Sequence, residues 1–205
     1  MTTGIKAALA AVLVLILLPV MAASQPAAQE RPESFKMIDT EKGKLPNEKP
    51  GEMFGSWMSA NKLLVDGDYE GAILAFKKAI NKWPKEDWPY QGLGSAYNKQ
   101  GRYKEAVDAF KQAIYFNPND TISLEGLAFA YLNLGRHEES VFILRQAVSA
   151  YKQLIRRAPD NASLHYSLGV VYLLLKDRAA ALEEYKILQT LDKEKANDLF
   201  NCIYK

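Results

Sequence analysis

Two stretches of the chain, GDYEGAILAFKKAINKWP at residues 67–84 and GRYKEAVDAFKQAIYFNP at residues 101–118, align at an offset of 34 residues. Seven places match in identity: Gly67/Gly101, Tyr69/Tyr103, Ala72/Ala106, Phe76/Phe110, Ala79/Ala113, Ile80/Ile114 and Pro84/Pro118. A unit that recurs at such a period cannot bury its apolar face alone, so neighbouring units stack into one continuous core. The length of 205 residues suits one repeat array with a tail, and 48% apolar with 24% charged residues suits a chain that buries a core. Basic and acidic residues nearly balance, 26 Lys+Arg against 24 Asp+Glu. That balance argues against a nucleic-acid binder, which needs a basic stripe to displace counterions. The single cysteine excludes an internal disulfide framework and a Cys-based zinc site.

The period and its residues resemble the tetratricopeptide repeat, a helix–turn–helix unit. The resemblance covers about residues 53–193 and implies an all-α fold. The expected architecture is a right-handed superhelical solenoid of about four helix–turn–helix repeats with a C-terminal capping helix. The repeats are read at residues 53–86, 87–120, 121–161 and 162–193, with the cap at 194–205. The second unit matches best: Tyr90, Leu93, Gly94 and Tyr97 fall on the first helix, Gly101 ends it, and Ala106 and Phe110 lie on the second. Gly94 lets the two helices approach, Pro118 stops the second helix, and Asp120 is placed to cap the next. The third unit shows Leu124, Leu127, Ala128, Tyr131 and Gly135, and the fourth Leu168, Gly169, Tyr172, Ala181 and Tyr185. In the first unit Ser56 and Ser59 replace the expected large residues, which marks an edge of the array.

The third unit departs from the period, because its terminating proline, Pro159, comes seven residues late. Seven residues are nearly two helical turns, so an apolar face keeps its direction across the insertion. Val141, Leu144, Val148, Tyr151, Ile155 and Ala158 alternate spacings of three and four, as a buried stripe does. The second helix of this unit is therefore expected to run about 10 Å beyond its neighbours, the alternative being an irregular insert in the turn. At the C-terminus Ala196, Leu199, Phe200 and Ile203 form one face of an amphipathic helix that would cover the last repeat.

The N-terminus is a different material. Residues 7–18, AALAAVLVLILL, follow a start bearing Lys6 and precede Pro19 and small residues at Val20, Ala22 and Ser24. Twelve helical residues rise about 18 Å, short of a hydrocarbon core of about 30 Å. The pattern reads as a signal peptide over residues 1–23, and hence as an exported protein, periplasmic or secreted. The alternative is an uncleaved anchor in the inner membrane. Residues 24–52 contain Pro26, Pro32, Pro46 and Pro50 among charges and read as a flexible linker, with a short apolar motif at Phe35, Met37 and Ile38.

No motif proposes catalysis, a cofactor or a metal, and the chain reads as a non-enzyme. His137 and His165 read as packing rings without a fixed carboxylate partner, and Cys202 as a packed thiol or the half of an intermolecular disulfide. The sequons at Asn119 and Asn161 read as turn and cap residues.

The family resemblance implies that the first helices of the repeats line a concave face that receives a protein or peptide partner. Carried over by position, the groove comprises Trp57, Asn61 and Leu64 from repeat one, and Trp88, Gln91 and Asn98 from repeat two. Repeat three adds Glu125, Phe129, Leu132 and Asn133, and repeat four Tyr166 and Val170. Trp57, Trp88, Phe129 and Tyr166 are rigid aromatic anchors of the kind that dominate interfaces. Asn61, Asn98 and Asn133 would serve a peptide backbone. Chaperone-binding relatives carry a clamp of Lys, Asn, Asn, Lys and Arg for a C-terminal carboxylate. This chain has Trp57, Asn61, Gly92, Ile122 and Gly126 there, one match in five, which argues against that role. No nucleic-acid partner is expected, nor membrane contact beyond the leader. The expected function is a scaffold in envelope or secretion-related assembly. A self-associating homo-oligomer and an accessory subunit of an envelope enzyme complex remain as alternatives.

Overall fold

The computed structural model describes residues 51–204. The segment read as a signal peptide, and all but the last two residues of the segment read as a linker, lie outside them. Among the described residues there are nine α-helices and no strands. In chain order they are α1 (Glu52–Val65), α2 (Tyr69–Lys82), α3 (Trp88–Lys99), α4 (Tyr103–Phe116), α5 (Thr121–Asn133), α6 (His137–Arg157), α7 (Ala162–Leu174), α8 (Arg178–Leu191) and α9 (Lys193–Tyr204). They divide into two compact units, the chain passing from one to the other after Gly135, inside the third repeat. In the first unit each helix packs on the next, and α3 also packs on α1 and α5. In the second, α7 packs on α6, α8 and α9, and α8 packs on α9.

The turn between paired helices has one solution, used repeatedly. Gly67, Gly101 and Gly135 end α1, α3 and α5 at φ of +84°, +74° and +76°, a region open to glycine without steric cost. Lys176 stands at the equivalent place after α7 with φ +62°. A side chain there costs about 1–2 kcal/mol. Lys176→Gly should therefore raise stability by about 1 kcal/mol, seen as a higher urea midpoint at unchanged slope. An unchanged or lower midpoint would show that the turn carries no such strain.

Side-chain caps close five helix starts, that of α9 through Asp192, which accepts from Glu194 N at 3.0 Å and Lys195 N at 3.1 Å. Asp68 accepts from Gly71 N at 2.9 Å, Asp120 from Ile122 N at 3.1 Å, Asn161 from Ser163 N at 3.0 Å and Asp177 from Ala180 N at 3.0 Å. Each satisfies a backbone N–H that the helix itself leaves open. Asn161 is thus a capping residue.

The core of the first unit turns on two phenylalanines. Phe76 is wholly buried and Phe110 is 1% exposed. Phe110 lies where a Cβ on either Gly94 or Gly126 would stand, and Phe76 where a Cβ on Gly92 would stand. Each ring on a second helix is therefore received by a glycine on the first helix of the following repeat. The counterpart of Gly92 and Gly126 in α1 is Met58, 44% exposed, because no described helix precedes α1.

In the second unit α6 has 21 residues, where α2, α4 and α8 each have 14. Its buried face runs through Ser140, Leu144, Ala147, Ala150 and Tyr151. The expected stripe is rotated at its start, since Val141 is 37% exposed and Ser140 buried in its place. The cap α9 buries Ala196, Leu199 and Ile203. Gly169 makes room for it, since a Cβ there would come within 2.5 Å of Leu199 Cδ2. Phe200, expected on the buried face, is instead 41% exposed and meets the tilted rings of Tyr185 and Tyr204 at 5.5 and 4.4 Å.

Candidate partner-binding face

The first helices of the repeats in the first unit are α1, α3 and α5, and most of the groove residues read from the sequence stand on them. Trp57 is half-buried and stacks on Phe54 at 5.8 Å. Phe129 is half-buried and meets Tyr103 edge-on at 5.9 Å, a support from α4 that position matching did not supply. Ile122 is 43% and Val65 57% exposed, so these helices carry accessible apolar surface.

Three of the twelve groove residues are core instead. Leu64 is 6% exposed, Val170 1% and Trp88 3%. Trp88 is covered because Trp83, just before the same helix, packs against it at 5.7 Å while Phe76 meets it edge-on at 6.4 Å. Tyr166 is half-buried in the second unit, and burial pushes its hydroxyl up to about 12, with Cys202 and Asp198 nearby acting in the same direction.

The amides expected to meet a peptide backbone are partly committed. Asn61 and Asn133 each donate from Nδ2 to the carbonyl four residues back, Trp57 O and Phe129 O, both at 2.9 Å. Asn98 donates to Gly126 O at 2.9 Å, tying α3 to α5. Its Oδ1 is buried and makes no hydrogen bond among the described residues. Gln91 donates to Asp120 Oδ2 at 2.8 Å and so serves the junction between repeats two and three. Ser123 donates to the same oxygen, and Asn117 donates to Asp87 Oδ2 at 2.7 Å. Burial holds the Asp120 carboxyl above its ordinary range and the nearby Asp87 adds to the shift, while the Ser123 and Gln91 bonds oppose it. Glu125 and Leu132 are half-buried and Asn133 exposed.

The two histidines differ from expectation in opposite ways. His137 is exposed rather than packed. His165 is packed, 5% exposed, and does have a carboxylate partner: Nδ1 lies 2.7 Å from Glu184 Oε2 and Nε2 2.8 Å from Pro159 O. Glu184 sits on α8, 19 residues away, so only the packing of α7 on α8 reveals the pair. Cys202 is half-buried and is in no disulfide among the described residues. Among the described residues no group of three or more His, Cys, Asp or Glu is placed to hold a metal, and no helix is long and apolar enough to cross a membrane.

Comparison with known proteins agrees with this architecture. A family model described as "Tetratricopeptide repeat" matches residues 63–204. The chain belongs to the tetratricopeptide repeat family, a class of protein-interaction folds. Among solved structures it is similar to a thermophilic repeat protein of this class from Thermus thermophilus, with TM-score 0.55 and 24% identity over 74% of this chain and 83% of that one. It is also similar to the TPR2B domain of yeast Sti1, solved as its complex with pHsp70, with TM-score 0.54 and 17% identity over 62% of this chain and 97% of that one. A repeat protein from Parabacteroides merdae matches with TM-score 0.51 and 19% identity over 74% of this chain and 58% of that one. No curated protein matches the chain.

Proposed function

We propose that this protein is an exported, non-catalytic scaffold that holds an extended or helical segment of a protein partner against the α1–α3–α5 side of its array, in envelope or secretion-related assembly. The observation that carries the reading is the half-exposed aromatic surface on that side. Trp57 and Phe129 are each braced by a second ring, at 5.8 and 5.9 Å, so they lose little side-chain freedom when a partner covers them. Ile122 and Val65 extend the apolar surface. The Sti1 domain with pHsp70 supports a partner of protein or peptide class for this fold. The export reading rests on the apolar run and small residues before Ser24.

Affinity purification with cross-linking from the native envelope, with wild type beside Trp57→Ala/Phe129→Ala, tests it. The expected result is a protein captured by wild type and reduced at least about tenfold by the double variant, with helical content unchanged; about tenfold corresponds to 1.4 kcal/mol. Capture that the variant leaves intact would place binding elsewhere. Self-cross-links alone, unaffected by the variant, would favour the self-associating reading, for which the exposed Phe200 and Tyr204 on the cap offer a surface.

A further inference from the structure

A cleft of about 550 Å³ opens between α1 and α2, on a flank different from the partner-binding face. Its walls are small: Gly55, Ser56 and Ser59 from α1 and Ala75 and Ala79 from α2. In repeat two the same places are filled. The counterpart of Ser56 is Tyr90, which stacks on Phe116 at 5.6 Å and donates to Pro84 O at 3.0 Å. The counterpart of Ser59 is Leu93, 8% exposed. The counterpart of Phe116 is Lys82, which lines the cleft, pairs with Glu52 across it and lies over the Trp83 ring at 4.9 Å. Repeat one thus keeps the helical frame of repeat two and lacks the aromatic pair and the leucine that close it.

We propose that this cleft receives the chain's own segment 33–41, with Phe35, Met37 and Ile38 seated over Ser56, Ser59, Ala75 and Ala79. The segment ESFKMIDTE holds the densest apolar group between Ala28 and Gly51. Thirteen residues separate Ile38 from Glu52. Extended, they reach roughly 45 Å, about twice the roughly 21 Å length of α1, so the segment reaches the cleft without strain. Joined so closely to α1, the segment is present at an effective concentration of the order of millimolar, which favours it over a free peptide of similar affinity. Charge agrees as well. The segment carries Glu33, Asp39 and Glu41 against Lys36, and the cleft carries Lys78 and Lys82 against Glu52. The apolar side chains supply what Tyr90, Leu93 and Phe116 supply next door. The consequence is a fixed position for the N-terminal extension on the flank of repeat one, which leaves the partner-binding face clear.

Hydrogen exchange on the full chain tests this, comparing amides of residues 35–39 with those of residues 43–49 after correction for intrinsic rates. The expected result is exchange at least about tenfold slower over 35–39, equivalent to 1.4 kcal/mol. Ser56→Tyr/Ser59→Leu, which installs the side chains of repeat two, should remove that protection with helical content kept. Phe35→Ser/Met37→Ser should remove it without touching the array. Equal exchange in the two stretches would overturn the proposal, as would protection that survives filling of the cleft. Protection that appears only at concentrations where dimers form would assign the cleft to a second copy and overturn it equally. Partner capture should be unaffected by either variant, so this proposal and the one above fail independently.

Discussion

Trp88→Ala should cost about 3–5 kcal/mol and unfold repeat two and its neighbours at markedly lower denaturant, the range for removing a large buried aromatic ring. The ring is 3% exposed between Phe76 and Trp83, two helix-packing residues of the preceding repeat. Its loss leaves a cavity at the junction of α2 and α3, where Phe76 also depends on the missing side chain of Gly92 for room. In an array whose stability is a sum of repeat and interface contributions, a defect at such a junction weakens coupling between repeats one and two. Guanidinium unfolding followed by circular dichroism is the check, with the slope examined as well as the midpoint. A shallower slope would mean that the two repeats unfold separately. Any fall in partner capture by this variant follows from the fold. Trp57→Ala/Phe129→Ala should fall in capture with little change in midpoint. If Trp88→Ala proved as stable as wild type, the ring would belong to the open face after all.

The contrast between Trp57 and Trp88 shows what a sequence of this kind discloses. The helix–turn–helix frame is written locally: Gly67, Gly101 and Gly135 take the left-handed turn, and Asp120 caps α5 through Ile122 N. The seven-residue delay before Pro159 is likewise local, and α6 carries seven residues more than α2, α4 or α8. Which members of a repeated position face solvent is decided between elements. Trp57 and Trp88 both read as groove anchors, yet only Trp88 has a tryptophan five residues before it to fold beneath. Phe200 fits the apolar stripe of α9 but stands at its edge, where Tyr185 of α8 draws it outward. Lys176 hides a missing glycine that only the backbone angle exposes. The division of the array after Gly135 leaves no local trace beyond the longer helix that follows.

Glu184→Ala should cost about 3 kcal/mol, although glutamate is usually a surface residue, because it strands one ring nitrogen of the buried His165. The two side chains are 6% and 12% exposed and lie 2.7 Å apart. Pro159 O can only accept, so Nε2 must donate to it. An ionised Glu184 also only accepts, which makes both ring nitrogens donors and the pair ionic; a protonated Glu184 would donate to Nδ1 instead. In either form one proton lies between the two side chains. Glu184→Gln offers its NH₂ to an unprotonated Nδ1 and should lose less than half as much as Glu184→Ala. The decisive experiment is a double-mutant cycle, and the neighbouring repeat supplies its end point. Repeat two has Tyr90 where His165 stands and Ala109 where Glu184 stands. His165→Tyr/Glu184→Ala therefore installs the residues that repeat two carries at these places, where Tyr90 donates to Pro84 O, and should be more stable than Glu184→Ala alone. Additive losses in the double variant would mean that the two residues act separately and that the 2.7 Å approach carries no energetic coupling.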